Sequence, residues 1–127
     1  NLTLLEAEFA AGQFKGRDVP LVPNIVASAG VSWKIADWVS LDSVATYEGE
    51  RRLANDEGGN FKRLADFTLW DIKLNGTYGF LNWSAAVNNL LDEDYQNFGT
   101  ASDTTPGRFS VQTLPGRTYF VRLGIKM

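Results

Sequence analysis

A chain of 127 residues has room for one modest domain or for part of a larger one. Its net charge of −3 and isoelectric point near 4.8 count against a nucleic-acid partner, which selects for a basic stripe. His and Cys are both absent, which removes disulfides, imidazole bases, thiolate nucleophiles and nearly all zinc or haem ligation, so neither an enzyme nor a cofactor site is expected. A mean hydropathy of −0.18, with no run near the ~18 apolar residues of a spanning helix, excludes a helical membrane protein. It leaves a transmembrane β-barrel open, because barrel strands alternate and average out to a soluble-looking composition.

The chain starts in what reads as mid-strand: Leu2 to Leu5 run directly into Glu6 and Glu8, with no apolar stretch of signal-peptide length. A fragment or a processed chain is therefore expected. Period-two alternation then recurs along the chain. The first segment sets Leu5, Ala7 and Phe9 against Glu6 and Glu8. The second, Asn24 to Ile35, sets Ile25, Ala27, Ala29, Val31, Trp33 and Ile35 against Ser28, Gly30, Ser32 and Lys34. The third, Trp38 to Glu48, opposes Val39, Leu41, Ala45 and Tyr47 to Ser40, Asp42, Thr46 and Glu48. The fourth, Phe67 to Phe80, is the most regular, with Trp70, Ile72, Leu74, Tyr78 and Phe80 against Asp71, Lys73, Asn75 and Thr77. The fifth, Asn82 to Leu90, opposes Trp83, Ala85 and Val87 to Ser84, Ala86 and Asn88. The last, Arg117 to Met127, places Tyr119, Val121, Leu123, Ile125 and Met127 opposite Arg122, Gly124 and Lys126. No stretch sustains helical spacing. The expected fold is all-β, an antiparallel up-and-down meander of about six strands.

Connection length alternates as well. Ala36-Asp37 and Gly79 to Asn82 are tight, whereas Gly12 to Pro23, Glu50 to Asp66 and Asp92 to Pro115 are long and polar. In an antiparallel meander every second connection lies at the same end, so one rim carries short turns and the other long loops. Bacterial outer-membrane barrels are built this way. Trp33, Trp38, Tyr78, Phe80 and Trp83 fall near the short turns, as an interfacial aromatic girdle requires. The polar faces suit a hydrated or plugged lumen, with Asp71 and Lys73 expected to join a ladder of cross-strand pairs and Arg117 and Arg122 to form similar pairs or to touch whatever plugs the lumen.

Three segments carry a resemblance. Gly16 to Pro23 contains Pro20-Leu21-Val22-Pro23; Asn89-Leu90-Leu91-Asp92-Glu93-Asp94-Tyr95 closes the fifth strand; Pro115-Gly116-Arg117-Thr118-Tyr119 opens the last. In order and spacing they resemble the Pro-x-x-Pro, Asn-Leu-Phe-Asp-x-x-Tyr and Pro-Gly-Arg-x-Tyr segments of TonB-dependent outer-membrane receptors. Leu91 and Met127 stand where that family has Phe. The resemblance implies that residues 1–127 are the C-terminal part of a transmembrane barrel of about 22 strands. A plug domain and earlier strands would lie elsewhere in the same parent chain.

The resemblance further implies a multi-pass protein of the Gram-negative outer membrane, surrounded by lipid. Its function would be active transport of ferric siderophores or other scarce small nutrients, with TonB engaged through N-terminal parts. Arg51, Arg52, Arg63 and Arg108, with Tyr95 and Phe98, are the loop residues expected to meet an anionic ferric chelate. For the arginines, loop solubility or contact with lipopolysaccharide phosphates is the favoured reading over ligand contact, and the aromatics would equally pack among loops. Asp56-Glu57 and Asp92-Glu93-Asp94 match no calcium loop, and solvated loop charge is expected there. An isolated six-stranded piece would have two bare edges and is expected either to pair edge to edge with a second copy or to curl into a small, non-native barrel. Two other classes remain open: a small autonomous barrel acting as an adhesin or ligand-binding module, and a soluble carbohydrate- or partner-binding β-sandwich.

Overall fold

The computed structural model describes residues 2–4 and 7–125. It contains eight strands: β1 (Leu2–Leu4), β2 (Ile25–Ala36), β3 (Val39–Glu48), β4 (Phe67–Tyr78), β5 (Leu81–Asn88), β6 (Gln96–Ala101), β7 (Phe109–Thr113) and β8 (Thr118–Ile125). Six of them form one antiparallel sheet in the order β1-β2-β3-β4-β5-β8, and β6 and β7 form a separate two-stranded sheet. The meander expected from alternation is therefore present, and it is open, with β1 and β8 at its edges.

Two expectations need correction. The first alternating segment was centred on Leu5, Ala7 and Phe9, but the strand is Leu2–Leu4, and Leu5 and Glu6 fall outside the described residues. Glu8 makes only an isolated bridge to Asp18, because the chain there folds back on itself: Phe9 N donates to Arg17 O and Val19 N to Ala7 O. Alternation over so few residues cannot distinguish a sheet strand from one arm of a local hairpin. Secondly, Asp92 to Pro115 is not a structureless loop. Gln96–Ala101 and Phe109–Thr113 pair as a hairpin with a register shift between Gln96 and Phe98. The bulge breaks the period-two signal on which strand recognition depends.

The chain divides into two compact units, Asn1–Ala27 with Tyr47–Phe67 and Asp94–Leu114, and Ser28–Thr46 with Thr68–Glu93 and Pro115–Met127. In the second unit the ladder is regular. Ile72 opposes Val87 and Leu74 opposes Ala85, while Ala85 opposes Val121 and Trp83 opposes Leu123. Lys73 faces Ala86, and Ser84 faces both Asn75 and Arg122 on the opposite surface. The side-chain period of a strand thus sorts one surface apolar and the other polar. Among the described residues the β8 part of the apolar surface stands open: Val121 is 77% exposed and Leu123 and Ile125 are each 69% exposed.

Trp83 lies over Gly76, where an added Cβ would come within 2.2 Å of its indole. Trp70 Nε1 donates to Ser43 Oγ at 2.8 Å, which satisfies the indole N–H on an otherwise apolar face. The turns at Asp37-Trp38 and Gly79-Phe80 share one end, since Thr77 N donates to Trp38 O at 2.9 Å. Gly79 sits at φ +59°, a conformation that glycine adopts without a Cβ penalty.

The first unit holds the buried apolar side chains found among the described residues: Leu53, Leu64, Phe67 and Ala101. Leu53 and Leu64 pack on Gly99 of β6, where an added Cβ would fall 2.3 Å from Leu53. Ala54 N donates to Gly99 O and Ala101 N to Ala54 O, so the β3–β4 connection is stitched to the hairpin. Asp56 corrects the expectation of solvated loop charge. It is only 2% exposed, and its carboxylate accepts from Asn60 N at 2.7 Å and from Phe61 N at 3.3 Å, fixing the Gly58-Gly59 turn.

Candidate functional site

The Asn89 and Pro115 segments, far apart in sequence, meet in one structure. Asn89 takes φ +53°, a region that Asn tolerates better than most residues, and this reverses the chain as β5 ends. Its side chain is nearly buried and clasps its own turn: Nδ2 donates to Glu93 O and Oδ1 accepts from Glu93 N, both at 2.9 Å. Its N–H donates to Asp71 Oδ1, so Asp71 closes a turn and does not enter the expected ladder of charge pairs.

Asp92, at φ +57°, extends Oδ1 to accept Arg117 N at 2.8 Å. The same oxygen lies 2.8 Å from where a Cβ on Gly116 would stand, so glycine leaves room for the contact. Pro115 cannot extend a ladder through its nitrogen, and the strand starts only at Thr118. Leu90 N donates to Trp70 O and half-buries behind the turn. The neighbouring Tyr119 hydroxyl raises the Arg117 guanidinium above its ordinary range, and the guanidinium has no carboxylate pair among the described residues. Sequence reading found these motif residues, but not the hydrogen bonds that connect them.

The polar surface of the second unit forms a trough of about 770 Å³ whose lining includes Ser32, Asp42, Lys73, Asn75, Ser84 and Arg122. Asp42 accepts from Ser32 Oγ at 2.6 Å and from Asn75 Nδ2 at 2.8 Å, so its partners are neutral. Lys34 pairs with Asp37 at the turn. Lys73 and Arg122 have no ion-pair partner among the described residues. The ladder expected to include Lys73 is thus not formed among the described residues, nor is a carboxylate pair at Arg122, and both cations line the trough.

In the first unit the candidate loop residues separate into different environments. Arg51 is 6% exposed, bonded to Glu48 at 2.8 Å and stacked over the Phe67 ring at 5.3 Å. Tyr95 packs on the other partner of that stack, its ring 4.7 Å from Phe67. Arg52 and Arg63 instead converge on one carboxylate, Asp18, beside a cavity of about 480 Å³. Arg108 stands exposed between β6 and β7, and Phe98 is 42% exposed on β6. Pro20 precedes Leu21, which takes φ +63° and donates its N–H to Arg52 O at 3.0 Å; Pro23 lies just ahead of β2. Among the described residues no group of His, Cys, Asp and Glu is arranged to hold a metal.

A two-faced meander with its apolar side chains exposed, short turns at one end and a polar trough defines a transmembrane barrel wall. Residues 1–90 match the family described as TonB dependent receptor-like, beta-barrel, and the chain belongs to that family. The fold is also similar to that in the crystal structure of the ferric citrate transporter FecA in the unliganded form, with a TM-score of 0.68 and 20% sequence identity. That likeness covers 87% of this chain and 17% of the transporter, and at this identity it is a likeness of fold alone. No curated protein matches the chain.

Proposed function

We propose that residues 1–127 form the C-terminal segment of the barrel of an outer-membrane active transporter, energised by TonB, that takes up ferric siderophores or a similar scarce nutrient. The observation that carries this reading is the inversion of ordinary packing in the sheet. Val121, Leu123 and Ile125 stand on an open surface while Asp42, Asn75 and Arg122 line a trough. In water such a surface associates or collapses; in a bilayer it faces acyl chains and needs no protein partner. The trough would face the plug domain, whose carboxylates would compensate Lys73 and Arg122. The loop residues Arg52, Arg63, Arg108 and Phe98 would meet ligand. Arg51 and Tyr95 would act behind them, since the Glu48 pair and the Phe67 stack already occupy them.

The family supports a receptor; a ferric siderophore is the finer reading, favoured by the similarity to a ferric citrate transporter. The open edges of the sheet give no support to a small autonomous barrel. The test is uptake of radiolabelled ferric chelates by Gram-negative cells that express the full receptor, with and without TonB. Accumulation that requires both proteins is expected. Accumulation unchanged by loss of TonB overturns the proposal.

A further inference from the structure

The loop unit holds a carboxylate where a ligand carboxylate would fit. Asp18 Oδ2 accepts from Arg52 Nε at 3.2 Å and also from Arg63 Nη2. Asp18 belongs to the β1–β2 connection, whereas Arg52 and Arg63 belong to the β3–β4 connection, so one oxygen ties the two segments together. The adjoining cavity of about 480 Å³, lined also by Glu8, Val22 and Asn24, is of a size that admits a small molecule. Gly59, at φ +68°, lies beside the Arg52 guanidinium, where a side chain would crowd Nη1.

We infer that Asp18 is an internal counter-ligand, and that a small polycarboxylate or its metal chelate binds Arg52 and Arg63 by displacing it. The inference rests on the loops being the ligand-facing part of the receptor. Three features support exchange over a permanent structural pair. The Asp18 side chain is 42% exposed and that of Arg63 is 35% exposed, so the pair is reachable and, being partly solvated, weak. Both guanidiniums share a single oxygen, so each has donors left for the paired oxygens of an incoming carboxylate. Finally, Asp18 sits on a small local hairpin, closed by Phe9 N to Arg17 O and Gly16 N to Phe9 O, which can move as a piece.

The backbone bond from Leu21 N to Arg52 O is the hinge that would remain. The Arg17 bond to Gly58 O involves a neutral acceptor, and a carboxylate ligand does not compete for it. Displacement of Asp18 would leave the exposed Arg17–Gly58 bond as the remaining side-chain tie, and so couple occupancy of the arginine pair to loosening of the segment around Gln13. Apparent affinity is lowered by the fraction of receptors in which Asp18 occupies the arginines, so removing that carboxylate tightens binding.

The test uses the full receptor in detergent, free of other cysteines, with a spin label at Gln13→Cys; this chain contributes no cysteine of its own. Citrate is the probe, and inorganic phosphate is the comparison anion. Citrate should mobilise the label saturably. Asp18→Asn should mobilise it without citrate and lower the citrate dissociation constant about tenfold, as expected if the tie is closed in roughly nine receptors of ten. Asp18→Glu should restore the native spectrum, and Arg52→Gln with Arg63→Gln should abolish the citrate response. An Asp18→Asn spectrum identical to the parent's overturns the inference, as does a citrate response that survives loss of both arginines. A phosphate response equal to that of citrate overturns the carboxylate assignment. These measurements need no transport, so failure of TonB-dependent uptake would leave them decisive.

Discussion

Asn89 shows how much one side chain can determine. It accepts a left-handed backbone, satisfies both polar groups of Glu93 and is almost fully buried, at 4% exposure. Asn89→Ala leaves the Glu93 N–H and C=O without partners in a crowded turn, and its Cβ remains in a disfavoured region. A loss of about 2–3 kcal/mol is expected from such a change, read as a shifted midpoint in urea refolding of the receptor into micelles. Gly76 makes a second residue-scale case. With Trp83 seated 2.2 Å from the position of a would-be Cβ, Gly76→Ala must push the indole off the strand. The expected cost is about 1–3 kcal/mol, with a shift in tryptophan emission. Combining it with Trp83→Ala should cost less than the sum of the single changes, because the clash vanishes with the ring.

At the scale of the element, β4 carries a sharper test. Ile72 opposes Val87 and Lys73 opposes Ala86, so adjacent positions face opposite surfaces. Ile72→Arg should destabilise the receptor by about 2–4 kcal/mol if that surface meets hydrocarbon near the midplane, whereas Lys73→Arg should cost almost nothing. Equal costs measured by refolding into bilayers would refute the lipid-face assignment. For β8, the resemblance to the family's terminal strand motivates an assembly prediction. Changing Tyr119 and Ile125 together to Asp places two charges on the apolar face and should abolish outer-membrane insertion, checked by cell fractionation. Normal surface levels would place the assembly signal elsewhere.

For the whole molecule the sheet order matters most. Among the described residues β1 and β8 end an unclosed sheet, whose outer edges offer rows of backbone donors and acceptors, and apolar side chains of β8 stand open. A preparation of residues 1–127 alone should therefore associate, with light scattering giving a mass above that of one chain. A dispersed monomer in detergent-free buffer would refute this and weaken the case for a lipid-facing surface.

The alternation of β2, β3, β4, β5 and β8 was legible because a strand's period of two depends only on local geometry, and one apolar face opposite one polar face writes that period into the residues. The short turns and the motif segments were legible for the same local reason. What the sequence could not determine was which distant groups meet. Asp92 with Arg117 and Asp18 between Arg52 and Arg63 are contacts between connections, and Arg51 with Phe67 joins a connection to the start of β4; the courses of these connections depend on the strands that hold their ends. Asp56 read as solvated because a carboxylate in a loop usually is; only the tertiary structure buries it, on two backbone N–H groups supplied by its own turn. The β6–β7 hairpin was hidden by its bulge, and it exists through pairing and packing on Leu53 and Leu64, which no local pattern records. Local periodicity set the wall of this barrel, while long-range packing decided what its loops can hold.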